Sequence, residues 1–259
     1  MAPQPPSNPL PEIISWEIYS QAFALLKNHL SSLVMISVFP LLFSMLADMT
    51  LETLEMEPRQ VVLAGLPLMV LVNGFLMNAF VKAVEEFHRE RDPSLGEVYS
   101  KAFSGLGRVI WTYLAATFLT MMAFMPMVIP MVMSGGAGGG GMLSGLLMAV
   151  FMVPGLMVGG MLTPAVPIAA LEQISPMAAI QRSLRLMRPR LPLGMAVFGF
   201  FVAVGAIIPL GVISVAGVGP YTPLLGVILQ AVTMPLAFGA NLYLYYRLRV
   251  HEPPVPSKP

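Results

Sequence analysis

The sequence predicts an all-α polytopic membrane protein: six transmembrane helices in three hairpins, each hairpin preceded by an amphipathic helix on the cytoplasmic side. Three observations carry that reading. The chain is 56% hydrophobic and only 10% charged, with a mean hydropathy of +0.78; a soluble chain of 259 residues needs far more charge to cover its surface. No Asp, Glu, Lys, Arg or His falls in 30–47, 60–81, 109–171 or 191–246. One crossing takes about 20 apolar residues, so the first two gaps hold one helix each and the last two hold two each. Finally, EIYSQAF at 17–23 returns as EVYSKAF at 97–103, with five of seven positions identical.

In chain order, residues 1–11 (MAPQPPSNPLP) are proline-rich and lack both a basic and an apolar signal region, so they read as a disordered tail. Residues 12–250 form a single membrane domain, and 251–259 a short C-terminal tail. The six spans are expected near Leu30–Ala47, Val61–Val81, Val109–Met133, Met142–Val166, Leu193–Val215 and Leu224–Tyr246. SGGAGGGG at 134–141 suits a turn between the third and fourth spans, and AGVGPYTP at 216–223 one between the fifth and sixth. Thirteen of the 14 Lys and Arg residues then fall on one side, which sets both termini in the cytoplasm.

The heptapeptide lies just before the first and third spans. Ile18, Tyr19, Ala22, Phe23 and Leu26 gather on one helical face, and Val98, Tyr99, Ala102, Phe103 and Leu106 repeat the spacing. A further 81 residues on, Ala179, Ile180, Ser183, Leu184 and Met187 repeat it again, after a Ser175 N-cap and Pro176 at the first helical position. Three parallel repeat units, 12–92, 93–173 and 174–250, are therefore expected, each opening on an amphipathic ledge at the headgroup level.

The third ledge carries Arg182, Arg185 and Arg188, with Arg190 beyond Pro189, and no acid. These arginines either enforce topology or bind an anionic lipid or another phosphate, since guanidinium forks onto phosphate oxygens. Glu172 is the first charge after the long third gap, so it calls for a partner, and Arg182 or Arg185 is the nearest. Gly155 and Gly159 form a GxxxG face for close helix packing, and Asn73, Asn78, Gln230 and Asn241 are expected to hydrogen-bond between helices or, where several converge, to line a polar path. Pro126, Pro130, Pro154, Pro209 and Pro235 interrupt spans, as in some transporters.

No catalytic constellation stands out. There is no HExxH and no Walker A motif, and His29, His88 and His251 are dispersed. The chain has no Cys, which excludes disulfides and thiolate metal sites. The Met-rich run 121–133, with Met127 and Met131 four apart, raises copper(I), but 22 Met scattered through the chain read as adaptable packing filler. No cofactor and no nucleic acid is expected, and the partner foreseen is the lipid bilayer itself, anionic phospholipid included, with room for a protein partner.

The stretch TPAVPIAALEQISPMAAIQRSLRLMRPR, through Pro164, Pro167, Glu172, Ala179, Arg182, Ser183 and Leu186, resembles the membrane domain of glycerophosphoryl diester phosphodiesterase. The closing NLYLYYRLRVHE, with Tyr245, Tyr246, Arg247, Arg249 and Glu252, is similar to the ending of that family. The resemblance covers nearly the whole chain and implies a stand-alone membrane domain of the bacterial cytoplasmic membrane. The catalytic barrel that follows in some relatives is absent, and HRE at 88–90 reads as solvated charge rather than a barrel opening. The function expected is a non-enzymatic scaffold or lipid-interacting accessory, with a transporter or flippase-like carrier as the alternative.

Overall fold

A computed structural model describes residues 15–53, 58–127, 142–216 and 221–250. Among the described residues every regular element is helical. In chain order these are α1 (Ser15–Asn28), α2 (Leu30–Thr53), α3 (Pro58–Phe87), α4 (Leu95–Phe103), α5 (Leu106–Phe124), α6 (Met142–Leu162), α7 (Ala165–Glu172), α8 (Pro176–Met187), α9 (Leu191–Val202), α10 (Ile208–Ala216) and α11 (Thr222–Val250). Six stretches are long and apolar enough to cross a membrane: Leu30–Ala47, Pro67–Phe87, Leu106–Met127, Ala149–Glu172, Pro176–Gly205 and Thr222–Val250. The 134–141 turn, Pro130, Met131 and both tails lie outside the described residues, as does 217–220 within the second expected turn.

The prolines shape the spans in different ways. Pro40, Pro67, Pro154 and Pro235 stay inside continuous helices. Pro126 sits in a 3₁₀ turn, Met125–Met127, that follows α5. At Thr163–Pro164 the fourth span breaks and restarts as α7, which runs on to Glu172, past the expected end at Val166. Pro209 has no N–H to give Gly205, and a π-turn, Ala203–Ile207, opens just ahead of it, with the Ile208 N–H reaching back to the Ala203 carbonyl.

Each long helix packs against the next along the chain: α2 on α3, α3 on α5, α5 on α6, α6 on α9 and α9 on α11. The last, α11, packs back on α2, so the bundle closes on itself. The short helices sit over one end. α1 lies on α11, α4 on α3, and α8 on α6 and α7. Each buries residues a turn apart, Ile18 and Ala22, Val98 and Ala102, Ala179 and Ser183; α1 also buries Leu25 and Leu26, and α8 also buries Ile180, Leu186 and Met187. The single apolar face expected of these helices is split, because Phe23 (59%), Phe103 (67%) and Leu184 (37%) remain exposed. The buried part of each stripe reaches the bundle, and Phe23, Phe103 and Leu184 extend past its edge.

Packing is densest at the end where the short helices sit. The most deeply buried large side chains, Tyr245, Phe80, Ile18, Leu33, Ile168, Met187 and Leu248, all lie there, whereas Phe43, Met121, Val150, Ile208 and Ile228, further along the spans, are exposed. The glycines that allow helices to touch are not those the GxxxG pattern named. Rings fill the space at Gly155 and Gly159, where an added Cβ would meet Phe124 at 2.2 Å and Phe198 at 2.3 Å. The backbone crossing is made by Gly160 and Gly194, where a Cβ on Gly160 would stand 2.6 Å from the Gly194 carbonyl carbon.

Candidate functional site

Nearly all described charges collect around the short helices, and each short helix is tied to the bundle by an ion pair. Lys101 of α4 meets Glu86 of α3 at 2.9 Å, and Arg182 of α8 meets Glu172 at the end of α7 at 3.0 Å. At α1 the polarity is reversed: its acid, Glu17, meets Arg247 of α11 at 3.0 Å. Lys101 also bonds Glu97 at 2.7 Å, and these two carboxylates, Glu97 first and then Glu86, hold its ammonium above the ordinary lysine range.

Glu172 is approached from two sides. Arg182 Nε stands 3.0 Å from Oε2, and the hydroxyl of the fully buried Tyr245 donates to Oε1 at 2.9 Å. Behind it, the chain leaves α7 through Gln173 in the left-handed region, φ 54°, and Arg108 Nη1 donates to the Gln173 carbonyl. A cation there satisfies a carbonyl at the negative end of a helix. The structure thus gathers Glu172, Arg182, Tyr245 and Arg108 at one corner of the bundle.

The remaining arginines of α8 go elsewhere. Arg185 and Arg188 are exposed and, with Leu184 and Pro189, line a surface pocket of ≈ 460 Å³. Arg190 turns inward, and its Nη2 is buried with no hydrogen-bond partner. The four sequence-proposed residues therefore divide into one at the corner, two on the surface and one at the floor of the bundle.

The HRE stretch is paired rather than simply solvated. Arg89 contacts Glu85 at 3.0 Å and Glu86 at 3.4 Å. His88 Nδ1 donates to the Val84 carbonyl at 2.8 Å, because a carbonyl can only accept. Of the four amides expected to bridge helices, Asn78 alone does so among the described residues, donating to the Ala102 carbonyl of α4. Asn73 bonds Met69 of its own helix, and Gln230 lines a separate pocket with Ser44 and Met45.

Asn241 points to a different place. It lines a partly open cavity of ≈ 260 Å³ formed by α3, α5, α6, α7, α9 and α11. The wall is mainly apolar, with Thr117, Thr120, Thr163, Tyr113 and Asn241 as its polar members, and no Asp, Glu, Lys, Arg or His lines it. Lining residues near the short helices, such as Asn241, Val166 and Leu162, are buried, while Met121 at the far end is 59% exposed. The cavity therefore closes against the dense end and loosens toward the other.

Among the described residues, no group of three His, Cys, Asp or Glu side chains is spaced to hold a metal. Sequence reasoning did not find Tyr245, Arg108 or the Asn241 cavity. Tyr245 stood beside Tyr246 in the closing stretch with nothing in the sequence to tie it to Glu172, and the cavity is a property of helix faces that meet only in three dimensions. Comparison with protein-family models, with curated proteins and with solved structures finds no match to this chain.

Proposed function

We propose that this chain is a non-enzymatic, lipid-interacting integral membrane protein that serves as an accessory or scaffold. In this reading both termini are cytoplasmic, α1, α4 and α8 are amphipathic ledges at the headgroup level, and the chain is three repeats of a ledge and a hairpin. The observation that carries the reading is the Arg185–Arg188 surface: two exposed guanidinium groups flanked by the exposed apolar Leu184 and Met177 on the same helix. Such a face sets apolar side chains toward acyl chains and two phosphate-binding forks at the surface.

The repeat reading draws on equivalent contacts. A Cβ on Gly239 of α11 would meet Ala22 of α1 at 3.3 Å, Asn78 of α3 bonds Ala102 of α4, and Ser183 of α8 donates to Met161 of α6 at 2.6 Å. Ala22, Ala102 and Ser183 are the same position of the three units, each meeting the span before it in cyclic order. The resemblance to the glycerophosphoryl diester phosphodiesterase membrane domain agrees with a membrane role and supplies no catalytic group.

The test is native mass spectrometry of the protein in mild detergent with phosphatidylglycerol and phosphatidylcholine added together. Near a membrane surface each Arg contributes about 1 kcal/mol toward anionic lipid, so Arg185→Ala/Arg188→Ala should weaken phosphatidylglycerol retention roughly thirtyfold. Equal retention by both proteins sinks the reading. A carrier is the second reading, motivated by the cavity among the spans; it predicts lipid movement across reconstituted vesicles that the double variant leaves in place.

A further inference from the structure

The cavity holds an arrangement that neither lipid anchoring at Arg185 and Arg188 nor the packing of the bundle uses. Asn241 is 8% exposed, and its Oδ1 is buried with no hydrogen-bond partner. An unpaired amide oxygen at membrane depth is costly, and native structures rarely leave one without a reason. Asn241 lies six residues before Arg247 on α11, about 9 Å along the helix from the first basic side chain at that end. The group is thus below the headgroup level, in a space whose other walls are Met77, Leu162, Val166, Phe198 and Phe201. On α5 the lining runs from Tyr113 to Phe124, about 16 Å of helix, so the space is elongated along the span.

We propose that this cavity binds a single-chain lipid carrying a neutral carboxylic acid head, that is, a protonated fatty acid. A primary amide offers an acceptor and a donor side by side. A protonated carboxyl offers the complementary pair: its O–H donates to Asn241 Oδ1 and its carbonyl accepts from Nδ2. No cation lines the cavity to hold a carboxylate, and burial in an apolar site favours the neutral form of an acid. The hydrocarbon tail extends from Asn241 along α5 and α9 toward Phe124 and Phe198, where the cavity loosens. This site is separate from the Arg185–Arg188 surface, so either proposal can fail without the other.

The experiment uses the full chain in phosphatidylcholine liposomes and dodecanoic acid bearing a diazirine at the tail end. After irradiation, adducts are mapped by peptide mass spectrometry. They should concentrate on Met121, Phe124 and Phe198. Unlabelled dodecanoic acid should displace the probe at least about tenfold better than its methyl ester, which keeps the tail and loses the donor. Asn241→Leu should abolish that preference. Ala116→Trp, which fills the cavity from α5 and leaves Asn241 intact, should cut the adducts at least about fivefold. Adducts spread equally over the exposed Phe39, Phe118 and Ile228 overturn the proposal, as does equal displacement by acid and ester, or by dodecanamide in preference to the acid. Should either variant fail to fold, the acid-against-ester comparison on the unaltered protein decides the question.

Discussion

The hydroxyl of Tyr99, on α4, donates to the backbone carbonyl of Ile36, inside α2, at 3.0 Å. That carbonyl is the one Pro40 leaves without a partner, because proline four residues on has no N–H to return. The tyrosine of the second heptapeptide therefore satisfies a group that a proline in the first span has freed. Tyr99→Phe should lower stability by about 1 kcal/mol. The same change made on a Pro40→Ala background should cost almost nothing, since the alanine N–H takes the carbonyl. A double-mutant cycle by unfolding in detergent measures the coupling, and simple additivity would show that the proline and the tyrosine act independently.

The Glu172 corner yields a second cycle. Tyr245→Phe removes the donor to Oε1 and Arg182→Met the charge beside Oε2. Each should destabilise, the arginine change more, by about 2–3 kcal/mol, because a part-buried carboxylate then lacks its compensating charge. On a Glu172→Gln background the cost of Arg182→Met should shrink by at least about 1 kcal/mol. An undiminished cost means that Arg182 stabilises through packing alone.

The Gly160–Gly194 crossing gives a contrast among glycines. Gly160→Ala drives a methyl into backbone at 2.6 Å, where nothing flexible can yield, and should cost about 2 kcal/mol or more. Gly199, also in α9, has nothing within 4 Å of an added Cβ. Gly199→Ala should be neutral or stabilise by up to about 1 kcal/mol. Similar midpoints for the two variants would mean that α6 and α9 do not meet at this crossing.

Lys101 governs an alkaline limit. Its folded-state proton affinity is raised by Glu97 and Glu86, so its contribution is fully present below the ordinary lysine value of 10.5 and is lost as pH rises through the higher folded value. The unfolding midpoint of Lys101→Met should be lower than that of the parent at neutral pH, with the gap closing above pH 10.5. Burial raises Tyr19 and Tyr99 in the same direction, and both remain in the variant, so the difference between the two proteins isolates the lysine. A gap that stays constant to the highest pH would deny the ion pairs their role.

Orientation is open to direct labelling, because the chain has no native cysteine. Asp92, 88% exposed beside α4, and Tyr221, 78% exposed before α11, mark opposite ends of the bundle. With both termini cytoplasmic, Tyr221→Cys reacts with an impermeant maleimide in intact cells and Asp92→Cys reacts only after lysis. The opposite pattern reverses the topology.

How much of this was legible in the sequence depends on range. The six spans were readable because charges cannot cheaply enter hydrocarbon, and the gaps between them mark each crossing directly. The helix start at Ser175 was readable for the same local reason, since capping is an affair of three residues. Pro209 pointed to a disturbed helix but not to a π-turn, which depends on how neighbours accept the wider coil. The close crossing escaped because Gly155 and Gly159 fit a familiar spacing, while Gly160 is selected by its rotation toward α9. Tyr245 and Glu172 are 73 positions apart and Arg108 and Gln173 are 65 apart; such meetings arise from the packing of helices distant in sequence and leave no local pattern.

That closure also imposes a schedule. The inner face of α1, emerging first from the ribosome, is covered by α11, which emerges last, and α2 likewise waits for it. Ile18, Ala22 and Leu33 thus have no final covering until some two hundred further residues have been made and inserted. A nascent chain stalled after the second hairpin leaves that seam unfinished. The last helix is therefore the latch of the whole assembly, and losing its final turns would be felt first at the N-terminus.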